Sequence, residues 1–265
     1  MPVQDYIRER FFPTIWCAGC GHGQIMASLI RAVEELGLKK NNVVVVSGIG
    51  CSSRMPGYLD FHTLHTLHGR GLAFATGVKM GRPELNVIVP MGDGDASAIG
   101  GNHLIHAARR NINITAIIMN NDIYGMTGGQ SSPTTPLHAR TTTSPEGNID
   151  PSFDLVELMK GAGASFVART TTYHVKEMQQ ILVKAIKHKG FSFVDILSQC
   201  PTYFGRRNKG GSPTEMMKHF AEITTSIGSA KKKENPKLLE RGIFVDQERQ
   251  EYASGYCDFI QQVSK

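Results

Sequence analysis

Val87-Ile-Val-Pro-Met-Gly92-Asp93-Gly94-Asp95, running on through Ala96 to Arg110, Ile114 to Met119 and Asn120-Asn121-Asp122, decides the fold. Val87–Val89 predicts a strand from its β-branched run, and Ile114–Met119 predicts the next. Between them Ile99, Leu104, Ile105 and Ala108 recur at helical spacing, so Ala96–Arg110 reads as a helix. A strand, turn, helix and strand in succession form a parallel unit, and both turns then leave the same carboxyl edge of the sheet. Upstream, Ile25–Leu36 reads as a helix closed by Gly37, and Val43–Val46 as a buried strand. Leu72–Met80 is helical up to Gly81 and Pro83. Downstream come a helix at Phe153–Met159, a strand at Ser165–Ala168, a helix at His174–His188 and a strand at Phe193–Leu197. Alternating strands and helices predict a doubly wound parallel α/β sheet with helices on both faces.

The remaining sequence limits the alternatives. With 265 residues, 40% hydrophobic and 20% charged, the chain suits one large α/β domain, residues 1–205, with a C-terminal extension or arm at 206–265. No apolar run reaches the ~18 residues of a membrane span. Met1–Asp5 lacks a basic stretch leading into an apolar one, so the expected compartment is cytoplasmic. The net charge of +6 has no interleaved aromatics that would suggest nucleic acid. Gly205–Pro213 is basic and Gly-rich, Ala230–Lys237 reads as a charged linker, and Lys231-Lys-Lys233 as a solvated turn. Residues 125–151 form a long Gly-, Ser-, Thr- and Pro-rich loop, a length that usually serves function.

Gly92-Asp93-Gly94-Asp95 stands where a phosphate site belongs, between a strand and a helix N-terminus. A carboxylate facing phosphate is tolerable only with a divalent cation between them, since Mg²⁺ favours carboxylate and phosphate oxygens together. The other reading is a tight turn with an N-cap aspartate. Ser97 occupies the third glycine position of the dinucleotide fingerprint, which disfavours a nicotinamide dehydrogenase. Asn121, on the same edge, has an amide oxygen suited to the same cation. Five cysteines in a chain expected to lack an export signal argue against structural disulfides and raise metal binding or catalysis. Cys17 and Cys20 form a C-x-x-C, while Cys51 and Cys200 each follow a strand onto the ligand edge. Four thiolates suit zinc or an iron–sulfur cluster. Cys257 is left over as a plain thiol. His62 and His65 have ligand-like spacing but read better as ordinary loop histidines.

Gly-Asp-Gly, about 25 residues, then Asn-Asn resembles the thiamine diphosphate-binding signature. Tyr124-Gly-Met-Thr-Gly-Gly-Gln130-Ser-Ser-Pro-Thr-Thr-Pro136, Trp16-Cys-Ala-Gly-Cys-Gly-His-Gly23, the Gly50-Cys51-Ser52 turn and Cys200-Pro201 resemble the β subunit of 2-oxoacid:ferredoxin oxidoreductases. The resemblance spans residues 12–205 and implies a thiamine diphosphate-type fold. It implies Mg²⁺ on Asp93, Asn121 and the Ile123 carbonyl, and one 4Fe–4S cluster on Cys17, Cys20, Cys51 and Cys200. It implies cofactor contacts from Ile49, Gly50, Cys51, Ser52, His68, Gly69, Gly92, Gly94, Asp95, Asn121, Gly125, Met126 and Thr127. His68, in Leu67-His-Gly-Arg-Gly71, is the expected proton donor to phosphate or substrate carbonyl.

The implied reaction is CoA-dependent oxidative decarboxylation of a 2-oxo acid with ferredoxin as acceptor. The loop is most like 2-oxoglutarate-type chains, ahead of pyruvate or branched-chain substrates. Arg54 is the candidate cation for a distal carboxylate, unless a second subunit supplies it. Only one α/β domain is present and no ferredoxin-like cysteine run. An α subunit with the pyrimidine-binding domain and an external ferredoxin are therefore implied, in an αβ or (αβ)₂ assembly. Two rivals remain: a non-oxidative thiamine diphosphate enzyme with structural zinc, and a non-catalytic electron-transfer or assembly module.

Overall fold

The computed structural model describes residues 3–264. Met1 and Pro2, on which the reading of the N-terminal start partly rests, lie outside the described residues. The strands are β1 (Val43–Ser47), β2 (His62–His65), β3 (Asn86–Gly92), β4 (Thr115–Asn120), β5 (Ile123–Tyr124), β6 (Gln130–Ser131), β7 (Phe166–Thr171), β8 (Ser192–Leu197), β9 (Thr224–Ser226) and β10 (Leu239–Asp246). The helices are α1 (His22–Glu35), α2 (Met55–Tyr58), α3 (Gly71–Gly81), α4 (Asp93–Ser97), α5 (Gly101–Arg110), α6 (Leu155–Gly161), α7 (Val175–Lys187), α8 (Pro213–Ile223), α9 (Ala230–Glu234) and α10 (Tyr252–Val263).

Eight strands form one sheet in the order β2-β1-β3-β4-β8-β7-β10-β9. The neighbours from β2 to β7 all pair in parallel, as expected of alternating strands and helices. β10 runs antiparallel on β7 and carries β9 beside it. Every residue of β1, β4, β7 and β8 is buried, because helices cover both faces. On one face Ile25, Leu29 and Val33 of α1 and Met178, Ile181 and Leu182 of α7 meet Val43, Ile117, Phe166 and Val194. On the other, Leu72 of α3, Leu104 of α5 and Leu155 and Met159 of α6 meet Val44, Val89, Ile118 and Phe193. Alternate residues of each strand thus feed opposite layers, and the carboxyl ends of β1, β3, β4, β7 and β8 are left together along one edge. The chain diverges between β1, whose connection goes to β2, and β3, whose connection goes to β4. That divergence opens the crevice where open α/β sheets bind ligands.

Three expectations need correction. The single helix Ala96–Arg110 is two, α4 and α5, separated by Ala98 at φ −87°, ψ −103°. Close packing breaks it: a Cβ on Gly69 would lie 2.7 Å from the Gly100 nitrogen, and one on Gly100 would strike the Asp95 carbonyl. His62–His65 is an edge strand rather than a loop. The long loop holds the β5–β6 hairpin and is braced by its own polar groups, with Asn148 Nδ2 donating to the carbonyls of Thr135 and Asp150 at 2.9 Å. Residues 206–265 contain α8–α10 and the two strands at one end of the sheet, β10 and the terminal β9. No helix among the described residues is long and apolar enough to cross a membrane.

Candidate functional site

The β3–α4 turn and the end of β4 lie side by side because Gly92 pairs with Met119 across the parallel register. Asp93, 1% exposed, accepts a hydrogen bond from Thr134 Oγ1 at 2.7 Å on Oδ2. Its other oxygen faces Asn121. The Asn121 side-chain oxygen lies 3.2 Å from Asp93 Oδ1 and 2.9 Å from the Ile123 carbonyl oxygen, with no donor between them. Without a cation, the amide gains two hydrogen bonds by turning its NH₂ to these oxygens. With one, both spacings match the edge of an octahedron, about 3 Å for Mg–O bonds of ~2.1 Å. Burial raises the Asp93 carboxyl above its usual range, against hydrogen bonds from Ser132, Thr134 and the Asn121 backbone. A bound divalent cation reverses that preference. Asp122, next in the chain, takes the left-handed conformation at φ 60° that closes the turn. Burial and the charges of Asp93 and Asp195 push its carboxyl well up.

Beside this turn opens a cleft of about 590 Å³. Its wall contains Ile49, Gly50, Cys51 and Ser52 after β1, His68 after β2, Gly92–Asp95 after β3, and Asn121, Ile123, Gly125, Met126 and Thr127 after β4. Gly69 is not in the wall, but its N–H donates to Asp95 Oδ1 at 2.6 Å. The same oxygen accepts the Ile49 N–H at 3.4 Å and lies 2.7 Å from His68 Nδ1. One buried carboxylate thus ties together the loops after β1, β2 and β3. Arg54 is exposed at the start of α2 and is not part of the wall. His62 and His65 are exposed along the β2 edge, with His65 Nδ1 3.1 Å from Ser47 Oγ.

Four wall residues escaped the sequence reading: His22, Met119, Tyr124 and Gln130. Tyr124 sends its hydroxyl to the Gly94 carbonyl at 3.2 Å, and a Cβ on Gly94 would land on its ring. Burial lowers the His22 imidazole to about 4. Ser52 Oγ, Asp95 Oδ2 and His22 Nδ1 are buried without hydrogen-bond partners among the described residues. Together with the oxygen triad and the glycine-lined floor, these groups fit a diphosphate held through a divalent cation.

The cysteines gather at one corner of the cleft. Cys17 is exposed, Cys20 and Cys51 half-buried, and Cys200 buried. A Cβ on Gly125 would lie 3.6 Å from Cys51 Sγ and 3.9 Å from Cys200 Sγ, so both sulfurs flank the hairpin tip. Burial pushes Cys20 to about 12, with the other three thiols adding to the rise, and pushes Cys51 to about 11 with Cys200 and Cys17. Cys20 and Cys51 thus each lie within electrostatic reach of Cys17 and Cys200. Yet among the described residues no three His, Cys, Asp or Glu side chains are gathered tightly enough for a single metal ion. The Trp16 indole N–H donates to the Cys51 carbonyl at 2.7 Å, linking the first cysteine segment to the second. Cys257 is exposed on α10.

Residues 20–196 match the thiamine pyrophosphate enzyme family, C-terminal TPP binding domain. The chain is 47% identical over 266 residues to the 2-oxoglutarate synthase subunit KorB of Methanothermobacter thermautotrophicus, covering 99% of this chain and 93% of that one. It is 46% identical to the same-named subunit of Methanocaldococcus jannaschii, covering 99% and 98%. In structure it is similar to a 2-oxoglutarate:ferredoxin oxidoreductase from Magnetococcus marinus with 2-oxoglutarate, coenzyme A and succinyl-CoA bound. That TM-score is 0.90 at 33% identity, covering 100% of this chain and 91% of that one.

Proposed function

Since the chain belongs to the β subunits of 2-oxoglutarate:ferredoxin oxidoreductases, we propose that it carries the thiamine diphosphate, Mg²⁺ and 4Fe–4S sites for oxidative decarboxylation of 2-oxoglutarate to succinyl-CoA. The observation that carries this reading is the oxygen triad of Asp93, Asn121 and Ile123, with no side-chain donor between its members, in the wall of a cleft that Gly50, Gly92, Gly94 and Gly125 also line. Once bound, thiamine diphosphate supplies the nucleophilic carbon and electron sink for decarboxylation, and the cluster supplies one-electron transfer.

The chain's own residues do the rest. Asp93, Asn121 and the Ile123 carbonyl hold the cation. Gly92, Gly94, Gly50 and Ser52 approach the diphosphate. Asp95, fixed by the Gly69 and Ile49 amides, presents His68 in the cleft wall. There His68 carries a proton to or from the substrate's carbonyl oxygen. Ile49, Met119 and Met126 make the neighbouring wall apolar, which limits water around the reacting carbon. Cys17, Cys20, Cys51 and Cys200 hold the cluster, at the hairpin tip beside that wall. Because Arg54 stands outside the wall, the cation for the distal carboxylate comes from the α subunit, with Arg54 reaching it only from the rim.

The α subunit supplies the pyrimidine-binding domain, in an αβ or (αβ)₂ assembly in the cytoplasm. Cys17 lies exposed, and Arg206, Arg207 and Lys209 are exposed just beyond Cys200, a cationic surface for an acidic ferredoxin. Charge reversal at Arg206 and Arg207 slows ferredoxin reduction without slowing a neutral dye; unchanged ferredoxin kinetics would discard this surface. The main test uses the native complex purified without oxygen. CoA-dependent reduction of a low-potential dye is measured with 2-oxoglutarate, pyruvate and a branched-chain 2-oxo acid. Strong activity with 2-oxoglutarate alone is expected. Activity with another acid instead would move the substrate, and inactivity with all three despite bound iron and thiamine diphosphate would overturn the reading.

A further inference from the structure

One buried amide lies between two of the cysteine segments. Gln199 is 4% exposed and immediately precedes Cys200. Its Nε2 donates to the Gly19 carbonyl at 3.1 Å, and its Oε1 accepts from Thr172 Oγ1 at 2.7 Å. A carbonyl can only accept, so the NH₂ end must face Gly19, which leaves the oxygen for the threonine. The Gln199 backbone carbonyl also accepts the Gly21 N–H at 3.3 Å. Gln199 therefore holds the chain on both sides of Cys20, Gly19 by its side-chain amide and Gly21 by its backbone carbonyl. Gly21 runs flush against this grip, since a Cβ there would lie 2.8 Å from both Gln199 Oε1 and Thr172 Cγ2. From the far side Pro213 presses on Gly19, held by the capping box of Ser212 and Glu215 that starts α8.

We propose that Gln199 is a positioning residue for the iron–sulfur cluster, locking the Cys17–Cys20 loop against Cys200 so that the thiols stand at cluster distance before iron arrives. This rests on the cluster reading given above. Thr172 sets the direction of the amide, and the Gly19 carbonyl receives it. A neutral amide is the side chain this position needs. Alanine leaves the Gly19 carbonyl without its donor. Ionised glutamate keeps the shape but turns an acceptor toward that carbonyl and adds negative charge beside thiolates.

The test uses the full chain in complex with its α subunit, prepared without oxygen, as wild type, Q199A, Q199E, T172A and T172S. Iron per chain, the rate of iron release to a chelator, the spectrum of the reduced cluster and Mg²⁺-dependent thiamine diphosphate affinity are measured together. Iron release is expected to rise about ten- to hundredfold in Q199A and Q199E, the usual range for losing a supporting partner of a metal site. T172A should show a smaller rise, and T172S, which keeps the hydroxyl, should restore the wild-type rate. Thiamine diphosphate affinity should stay within about twofold, because that site shares no partner with Gln199. Wild-type release rates in the Gln199 variants would overturn the proposal. So would iron and thiamine diphosphate being lost in parallel, which is the mark of general loosening. If the Gln199 variants do not fold, the T172A and T172S pair decides: equal release rates overturn it. A wild-type complex that binds thiamine diphosphate but holds no iron would overturn the cluster reading and this inference with it.

Discussion

The oxygen turn and the cysteine corner share one edge of one sheet but are assembled differently. Asp93 and Asn121 follow adjacent strands, and the pairing of Gly92 with Met119 sets their spacing. Asp93 even has a dedicated donor in Thr134. The cysteines come from three segments that are not neighbours in the sheet: before α1, after β1 and after β8, with β3 and β4 lying between those last two strands. When ionised, their thiols repel one another. Strand register is therefore enough to build the first site. The second needs cross-links of its own, Trp16 to Cys51 and Gln199 to Gly19.

The largest expected effect separates the two sites outright. D93A should weaken Mg²⁺-dependent thiamine diphosphate binding by about a hundredfold or more, measured by equilibrium dialysis, with iron content unchanged. Loss of iron in that variant would erase the distinction. C200S should do the reverse: iron and dye reduction fall by about a hundredfold, while thiamine diphosphate affinity holds. A finer probe is T134V, which strips one buried carboxylate oxygen of its donor. A loss of about 1–3 kcal/mol is expected for such a group, hence roughly tenfold weaker Mg²⁺ binding. Wild-type affinity in T134V would show that register alone suffices. The smallest effect is expected at Arg54: R54Q should leave the KM for 2-oxoglutarate within about twofold, as for most exposed charges. A larger rise would bring the rim into the substrate site.

The same contrast explains what could be read in the sequence. β1, β3, β4, β7 and β8 are covered on both faces, and the short apolar runs this requires, such as Val43–Val46, Val87–Val89 and Ala116–Met119, stand out in the sequence. β2 is His-Thr-Leu-His on an exposed edge, and β10 is half-buried with Glu240, Arg241 and Gly242 in its run; neither has a clean period. The helix break at Ala98 depends on Gly100 meeting Gly69, a contact between segments that no local pattern announces. Asp93 and Asn121 were legible because their spacing follows a regular helix and strand. Tyr124 was not, because its place in the wall depends on Gly94 leaving room for the ring. His22 was hidden behind the more conspicuous cysteines beside it.

Trp16 is the only tryptophan in the chain, and it stands where the cysteine corner meets the cleft, edge-on to His22 and bonded to the Cys51 carbonyl. The tryptophan emission of the whole subunit therefore comes from a single indole at that junction. A cluster held by the four cysteines, as proposed, would absorb in the range where indole emits, so iron-loaded protein is expected to be dark and iron-stripped protein bright. The fluorometer thus offers a direct optical readout of cluster occupancy, with no label attached.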